Sequence, residues 1–245
     1  MCTVSWLPTP GGYSLCCNRD ERFTRAPALA PDLREQQGVP YLAPLDGDFG
    51  GSWLAVNSFG VTLSLLNRYD VAGDVAPASP RSRGLLLLDL TPSPSAASAI
   101  TALQATALQQ VRPFTLIVVA PDVPVHLARW DGHQLSIDAT TAPGLLATSS
   151  AVAEPEVTAS RIARFASLET VTVDGLEALH RSHLPERGRL SICMHRPDAE
   201  TRSYSRIDVT TERVTLRHTS SSPCRDAPRI TLELPRRLAT IEQSS

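Results

Sequence analysis

Lysine is missing altogether: all 23 basic residues in this 245-residue chain are arginine. That excludes Schiff-base lysine chemistry and any lysine-dependent phosphate loop. Neither sign of charge dominates, since 23 basic and 25 acidic residues give a net charge of −2. The electrostatic footprint of a nucleic-acid or anionic-membrane binder is therefore lacking. No apolar stretch approaches the length of a membrane span, and the leucine run at 85–88 stops at Asp89. The start of the chain has neither the basic opening nor the apolar stretch of a signal peptide, so the cytoplasm is the expected location. Internal repeats and heptads are missing too. Cysteine is scarce, with five residues at uneven spacing, an odd count that argues against a disulfide framework. These thiols read instead as nucleophiles, ligands or small buried hydrophobes.

What is present is ordinary for a globular protein: 42% hydrophobic and 20% charged residues, enough for one domain over 1–245. Strands are expected at 2–6 and 13–17 around Pro10-Gly11-Gly12, because proline fixes φ and glycine permits positive φ. The polar block from Asn18 to Arg22 follows, then a proline-rich extended stretch over 26–44. Residues 50–57 and 61–66 read as strands joined at Ser58-Phe59-Gly60. Helical spacing of Ile100, Leu103, Ala107, Leu108 and Val111 predicts a helix within 93–111. A buried strand at 114–120 and a hairpin at 125–138 come next, then helices at 155–168 and 175–183. Strands close the chain at 190–195, 203–209, 213–218 and 229–234. Strands, then helices, then strands point to an α+β or layered domain.

Cys2 directly follows Met1. Removal of Met1 would leave an α-amino group of pKa about 7.7–8.0 beside the thiol. Such an amine can take the thiol proton and later deliver it to a leaving group, so one residue supplies nucleophile and base. The alternative is an inert strand cysteine.

Several pieces, in order, carry a family resemblance: Met1-Cys2-Thr3-Val4, Asn18-Arg19-Asp20-Glu21, the run Gly50-Gly51-Ser52-Trp53-Leu54-Ala55-Val56-Asn57, Ser82-Arg83-Gly84, and Cys193-Met194-His195-Arg196-Pro197-Asp198-Ala199 with Ser203. The sequence resembles the NRDE family, which includes the transport and Golgi organisation 2 proteins of eukaryotes and is placed in the N-terminal nucleophile (Ntn) hydrolase superfamily. The resemblance implies a four-layer αββα sandwich with Cys2 on a central strand as the nucleophile.

Asn18 and Asp20 also match the Asn-x-Asp part of a segment in cysteine Ntn amidases such as penicillin V acylase and bile salt hydrolase. There Asp20 would orient the amine; a solvated Arg-Asp-Glu-Arg cluster is the alternative. Cys17 stands where those amidases carry an arginine, and Arg19, close by in the same segment, is the candidate substitute, less secure than Asp20. Asn67 resembles their oxyanion asparagine, or else simply forms a turn. Their second asparagine has no counterpart, and Ser149 or Ser150 is the candidate hydroxyl in its place. Trp53 is expected as a core or pocket-wall aromatic. Arg196 is expected either to anchor a substrate carboxylate or phosphate or to pair with Asp198 or Glu200.

His180, His183, Cys193 and His195 form a metal-like cluster, but its spacing matches no zinc signature, so neither a metal nor another cofactor is expected. Cys16 and Cys17 should point to opposite faces of one strand. The expected activity is C–N hydrolysis of an acyl amide or related small molecule through a Cys2 thioester. The resemblance also allows a non-catalytic scaffold that binds a lipid, acyl-CoA or haem.

Overall fold

The computed structural model describes residues 2–71, 80–121 and 123–238; Met1, part of the opening motif, lies outside them. The first sheet has six strands in the order β10 (Gly144–Thr148), β1 (Cys2–Thr9), β2 (Gly12–Arg22), β11 (Ala199–Val209), β12 (Arg213–Thr219) and β13 (Ile230–Pro235). The second has seven in sequential order: β3 (Leu29–Gln36), β4 (Val39–Leu45), β5 (Leu54–Asn57), β6 (Thr62–Asn67), β7 (Phe114–Val119), β8 (Val125–Trp130) and β9 (Leu135–Thr140). All named strand pairs are antiparallel. Helices α3 (Glu154–Ala166) and α4 (Val173–Arg181) cover the first sheet, and α1 (Arg83–Asp89) and α2 (Ala96–Gln104) cover the second. This is the expected α+β sandwich of four layers, αββα.

Alternation along the strands assigns the layers. Cys2, Val4 and Trp6 of β1 and Tyr13, Leu15 and Cys17 of β2 point between the sheets, onto Leu54, Val56, Leu66 and Ile117. The residues between them face the other way, so Cys16 packs with Leu176 and Leu179 of α4. The adjacent cysteines therefore lie on opposite faces, and both are free thiols. On its outer face, the second sheet packs Leu63, Leu65 and Leu116 against Leu86, Leu87 and Leu103. Burial of each such side chain contributes about 1.5–3 kcal/mol.

Five elements differ from expectation. The leucines at 85–88 form most of α1, whose amide at Leu85 is capped by the Ser82 hydroxyl. The helix expected within 93–111 begins at a Ser95–Ser98 capping box and ends at Gln104. The proline-rich stretch is the β3–β4 hairpin, turned at Gln37 and Gly38, both at positive φ. Residues 190–195 are not a strand. Side chains satisfy part of their backbone instead: Met194 N–H donates to Thr201 Oγ1 at 2.8 Å, and the Ile192 carbonyl accepts from Asn18 Nδ2 at 3.0 Å. Conversely, β2 continues through the polar block to Arg22 because β11 pairs along it from Ala199.

Candidate active site

A cavity of about 440 Å³ opens where β1, β2 and β6 meet, and its lining includes Cys2, Arg19, Asp20, Trp53 and Asn67. Cys2 sits opposite Arg19 in the β1–β2 register, which sends both side chains to the inter-sheet face. Arg19 lies two residues after Cys17, so strand alternation returns it to the inter-sheet face that Cys17 and Cys2 share. One wall is a close backbone crossing. A Cβ on Gly51 would lie 2.6 Å from the Gly84 carbonyl carbon, and Ser52 N–H donates to Gly84 O at 3.1 Å. Two separated sequence motifs, 50–57 and 82–84, are therefore one contact.

The Arg19 guanidinium lies 4.5 Å from the centre of the Trp53 ring and donates to Asp46 at 2.7 Å. Arg25 also pairs with Asp46, at 2.6 Å. Burial pushes the Asp46 carboxyl up, but the Arg25 hydrogen bond and the two guanidinium charges outweigh it and hold the pKa below the usual range. Trp53 is buried, and its indole N–H has no acceptor among the described residues.

Asp20 follows Arg19 and is completely buried. Its Oδ2 accepts from Arg161 Nη2 at 3.3 Å and its Oδ1 from the Thr201 hydroxyl at 2.6 Å. Asp20 thus belongs to an internal network rather than a solvated surface cluster. Arg161 also donates to the hydroxyls of Thr3, next to Cys2 on β1, at 2.6 Å and of Thr148, on the neighbouring β10, at 2.9 Å. Sequence reasoning missed Arg161. The available signal was its place four residues after the buried Val157 on one face of α3.

Asn67 is half-buried at the end of β6, and its Nδ2 donates to the Tyr69 hydroxyl at 3.0 Å. Ser149 N–H donates to the Cys2 carbonyl at 3.0 Å, so this residue holds the Cys2 main chain; its hydroxyl is buried with no partner among the described residues. The Ser150 hydroxyl accepts from Val152 N–H and donates to Val152 O. Arg196 pairs with Asp198 at 2.7 Å, and it does not line the cavity. Asn18 joins the helical layer instead, donating to the carbonyls of His180 at 2.9 Å and Ile192 at 3.0 Å.

Burial pushes the Cys2 thiol above its ordinary value. No histidine is among the residues lining the cavity. The proposed metal-like quartet also needs a correction. His180 is fully buried between Ser5 Oγ at 2.8 Å and Asn18 Oδ1 at 3.0 Å, away from the other three residues, and Cys224 takes its place among them.

The fold has solved counterparts. A mutant of conjugated bile acid hydrolase from Clostridium perfringens aligns over 100% of both chains at TM-score 0.53 and 10% identity. An N-acylethanolamine-hydrolyzing acid amidase ortholog from Caenorhabditis elegans aligns over 84% of this chain and 92% of its own, at TM-score 0.54 and 13% identity. Penicillin V acylase from Agrobacterium tumefaciens gives 0.57 and 11%, over 96% of this chain and 86% of its own. At these identities the likeness establishes the Ntn-hydrolase fold alone. No curated protein sequence matches significantly. No helix among the described residues is long and apolar enough to cross a membrane. The model of the family Transport and Golgi organisation 2 matches residues 1–168, and the chain belongs to that family.

Proposed function

We propose that the protein is an N-terminal-cysteine amidohydrolase that cleaves a C–N bond in an acyl amide carrying an anionic group. The observation that carries this reading is that Cys2 and Asn67 line one cavity in which no histidine is available as a base. A buried neutral thiol needs a proton acceptor, and Asp20 is already bound to Arg161 and Thr201. Cleavage of the bond preceding Cys2 supplies that acceptor as the α-amino group. The amine takes the Sγ proton while sulfur attacks the acyl carbon. Asn67 Nδ2 donates to the oxyanion, and the returning proton protonates the leaving nitrogen as the C–N bond breaks. Water, deprotonated by the same amine, then attacks the thioester and releases the acid, and the sulfur recovers its proton. Asp20, held by Arg161, is a positioning residue for the amine.

The anionic preference follows from the lining. Five arginines (Arg19, Arg25, Arg81, Arg83 and Arg112) face three acidic residues (Asp20, Glu21 and Asp46). Arg112 is exposed, and an arginine fork suits a carboxylate or phosphate. The test is a panel of acyl amides matched for chain length, with anionic or neutral head groups, scored by amine release. Selective turnover of the anionic members, abolished by Cys2→Ala, is the expected result; no release from any member contradicts the reading.

The raised Cys2 pKa favours a second reading, a scaffold that binds a lipid, acyl-CoA or haem without chemistry. Binding of those ligands at equal affinity by the unaltered protein and Cys2→Ala, with no turnover, selects it.

A further inference from the structure

Four side chains with nitrogen or sulfur donors converge away from the cavity: His183, Cys193, His195 and Cys224, whose ligand atoms all lie within 4.8 Å of one another. His183 follows α4, Cys193 and His195 belong to the irregular segment before β11, and Cys224 lies in the loop between β12 and β13. Cys193 is buried and the other three are half-buried. The separations are those of a coordination sphere. His183 Nε2 and His195 Nε2 are 3.2 Å apart, and His195 Nε2 is 3.6 Å from Cys193 Sγ and 3.5 Å from Cys224 Sγ. A tetrahedron with zinc–nitrogen bonds of about 2.0–2.1 Å and zinc–sulfur bonds of about 2.3 Å has N–N edges of about 3.4 Å and N–S edges of about 3.6 Å.

Hydrogen bonding accounts for the cluster poorly. One imidazole nitrogen would have to serve another ring nitrogen and two sulfurs, although it either donates one proton or accepts through one lone pair. A central cation replaces these competing contacts. The surroundings suit it as well. His195 turns its other nitrogen, Nδ1, to Glu200 Oε2 at 3.5 Å, and Arg225 holds the same carboxylate oxygen at 2.5 Å. A carboxylate behind a ligating histidine fixes the tautomer and the ring orientation. The backbone of the ligand loop is tied down separately, with Cys193 N–H donating to Ser182 O at 3.1 Å and His195 N–H to Gly188 O at 3.2 Å.

We propose that His183 Nε2, Cys193 Sγ, His195 Nε2 and Cys224 Sγ form a closed tetrahedral Zn²⁺ site that fastens the segment before β11 to the β12–β13 loop. Two thiolates and two imidazoles select zinc over magnesium or calcium, which take oxygen ligands. Four protein ligands leave no open position, so the ion is structural. The clamp reaches the sheet through Met194, between two of the ligands: its N–H donates to Thr201 Oγ1, which donates to Asp20. The zinc site itself does not depend on any reactivity of Cys2.

The test uses the full-length, reduced protein, stripped with a chelator and dialysed against Zn²⁺ in one sample and Co²⁺ in another. The expected results are one zinc per chain, a thiolate-to-cobalt charge-transfer band with the intense visible bands of tetrahedral cobalt, and a lower unfolding temperature after stripping. Cys224→Ser removes a half-exposed ligand and should abolish stoichiometric zinc and the charge-transfer intensity contributed by that sulfur. Glu200→Gln, which touches no metal, should weaken zinc affinity about 10–100-fold. Zinc well below one equivalent in the unaltered chain overturns the proposal. So does an octahedral cobalt spectrum, or zinc binding that Cys224→Ser and His183→Ala leave unchanged. The cobalt spectrum of the unaltered protein decides the matter if a variant fails to fold.

Discussion

Arg161 and Asp20 form an ion pair with an Nη2–Oδ2 distance of 3.3 Å, sealed between α3 and the strand that carries the NRDE tetrapeptide. Both side chains are almost wholly excluded from solvent, at 1% and 0% exposure. Such a pair gains little over an apolar replacement of both partners, but removing one partner strands a charge. The pair fixes the carboxylate of Asp20, the residue that follows Cys2's strand partner Arg19.

Arg161→Met should therefore destabilise the protein by about 3–5 kcal/mol, read from urea denaturation. Asp20→Asn combined with Arg161→Met should cost less than the two single changes added together, because no unpaired charge remains. Additive costs would show that the pair is not coupled.

Asn67→Ala should lower the rate of amine release about 10²–10³-fold, the loss expected for one oxyanion donor. The residue is half-buried and its Nδ2 partner, Tyr69, is exposed, so stability should move by no more than about 0.5 kcal/mol. A large stability change with unaltered turnover would assign Asn67 to the fold instead.

Gly84→Ala should destabilise by about 1–3 kcal/mol and impair turnover as well. The added Cβ would lie 2.8 Å from Ser52 N and 3.0 Å from the Gly51 carbonyl carbon, forcing α1 off the cavity wall. Denaturation and steady-state kinetics on the same preparation check both effects.

Stability should also fall on acidification. Burial, with Arg161 nearby, lowers the pKa of His180 to about 3; burial, with Arg19, lowers that of His218 to about 4. Between those values and about 6.5 the unfolded chain binds protons that the folded chain refuses, so stability is fully present above pH 6.5 and declines as pH falls. Each histidine contributes a slope of up to about 1.4 kcal/mol per pH unit. Urea midpoints from pH 7 to pH 5 read the slope, and histidine NMR shifts should show His180 still neutral at pH 5.

The residues near Cys2 were legible because strand alternation and short motifs are local. A polar tetrapeptide on a central strand has few places to go: Arg19, Asp20 and Glu21 line the cavity, while the Asn18 side chain and the Asp20 carboxylate bond to the helical side. Arg161 and Cys224 were not legible in the same way. Their partners lie 141 and 29 residues away, and only the packing of α3 and of the β12–β13 loop brings them together. The apolar residues at 190–195 read as a strand, yet Asn18 and Thr201 take backbone groups that a ladder would have used. The four leucines of α1 carried no helical period, and their face was set by packing on β5 and β6.

The central claim, a Cys2 thiol served by its own α-amino group, is tested most directly by alkylation followed by peptide mass mapping across pH. The account predicts an N-terminal peptide beginning at Cys2, modified faster than Cys16 or Cys224, with half-maximal rate near the amine's pKa of about 7.7–8.0. An N-terminus extending beyond Cys2, or a Cys2 thiol no faster than those two, would contradict it.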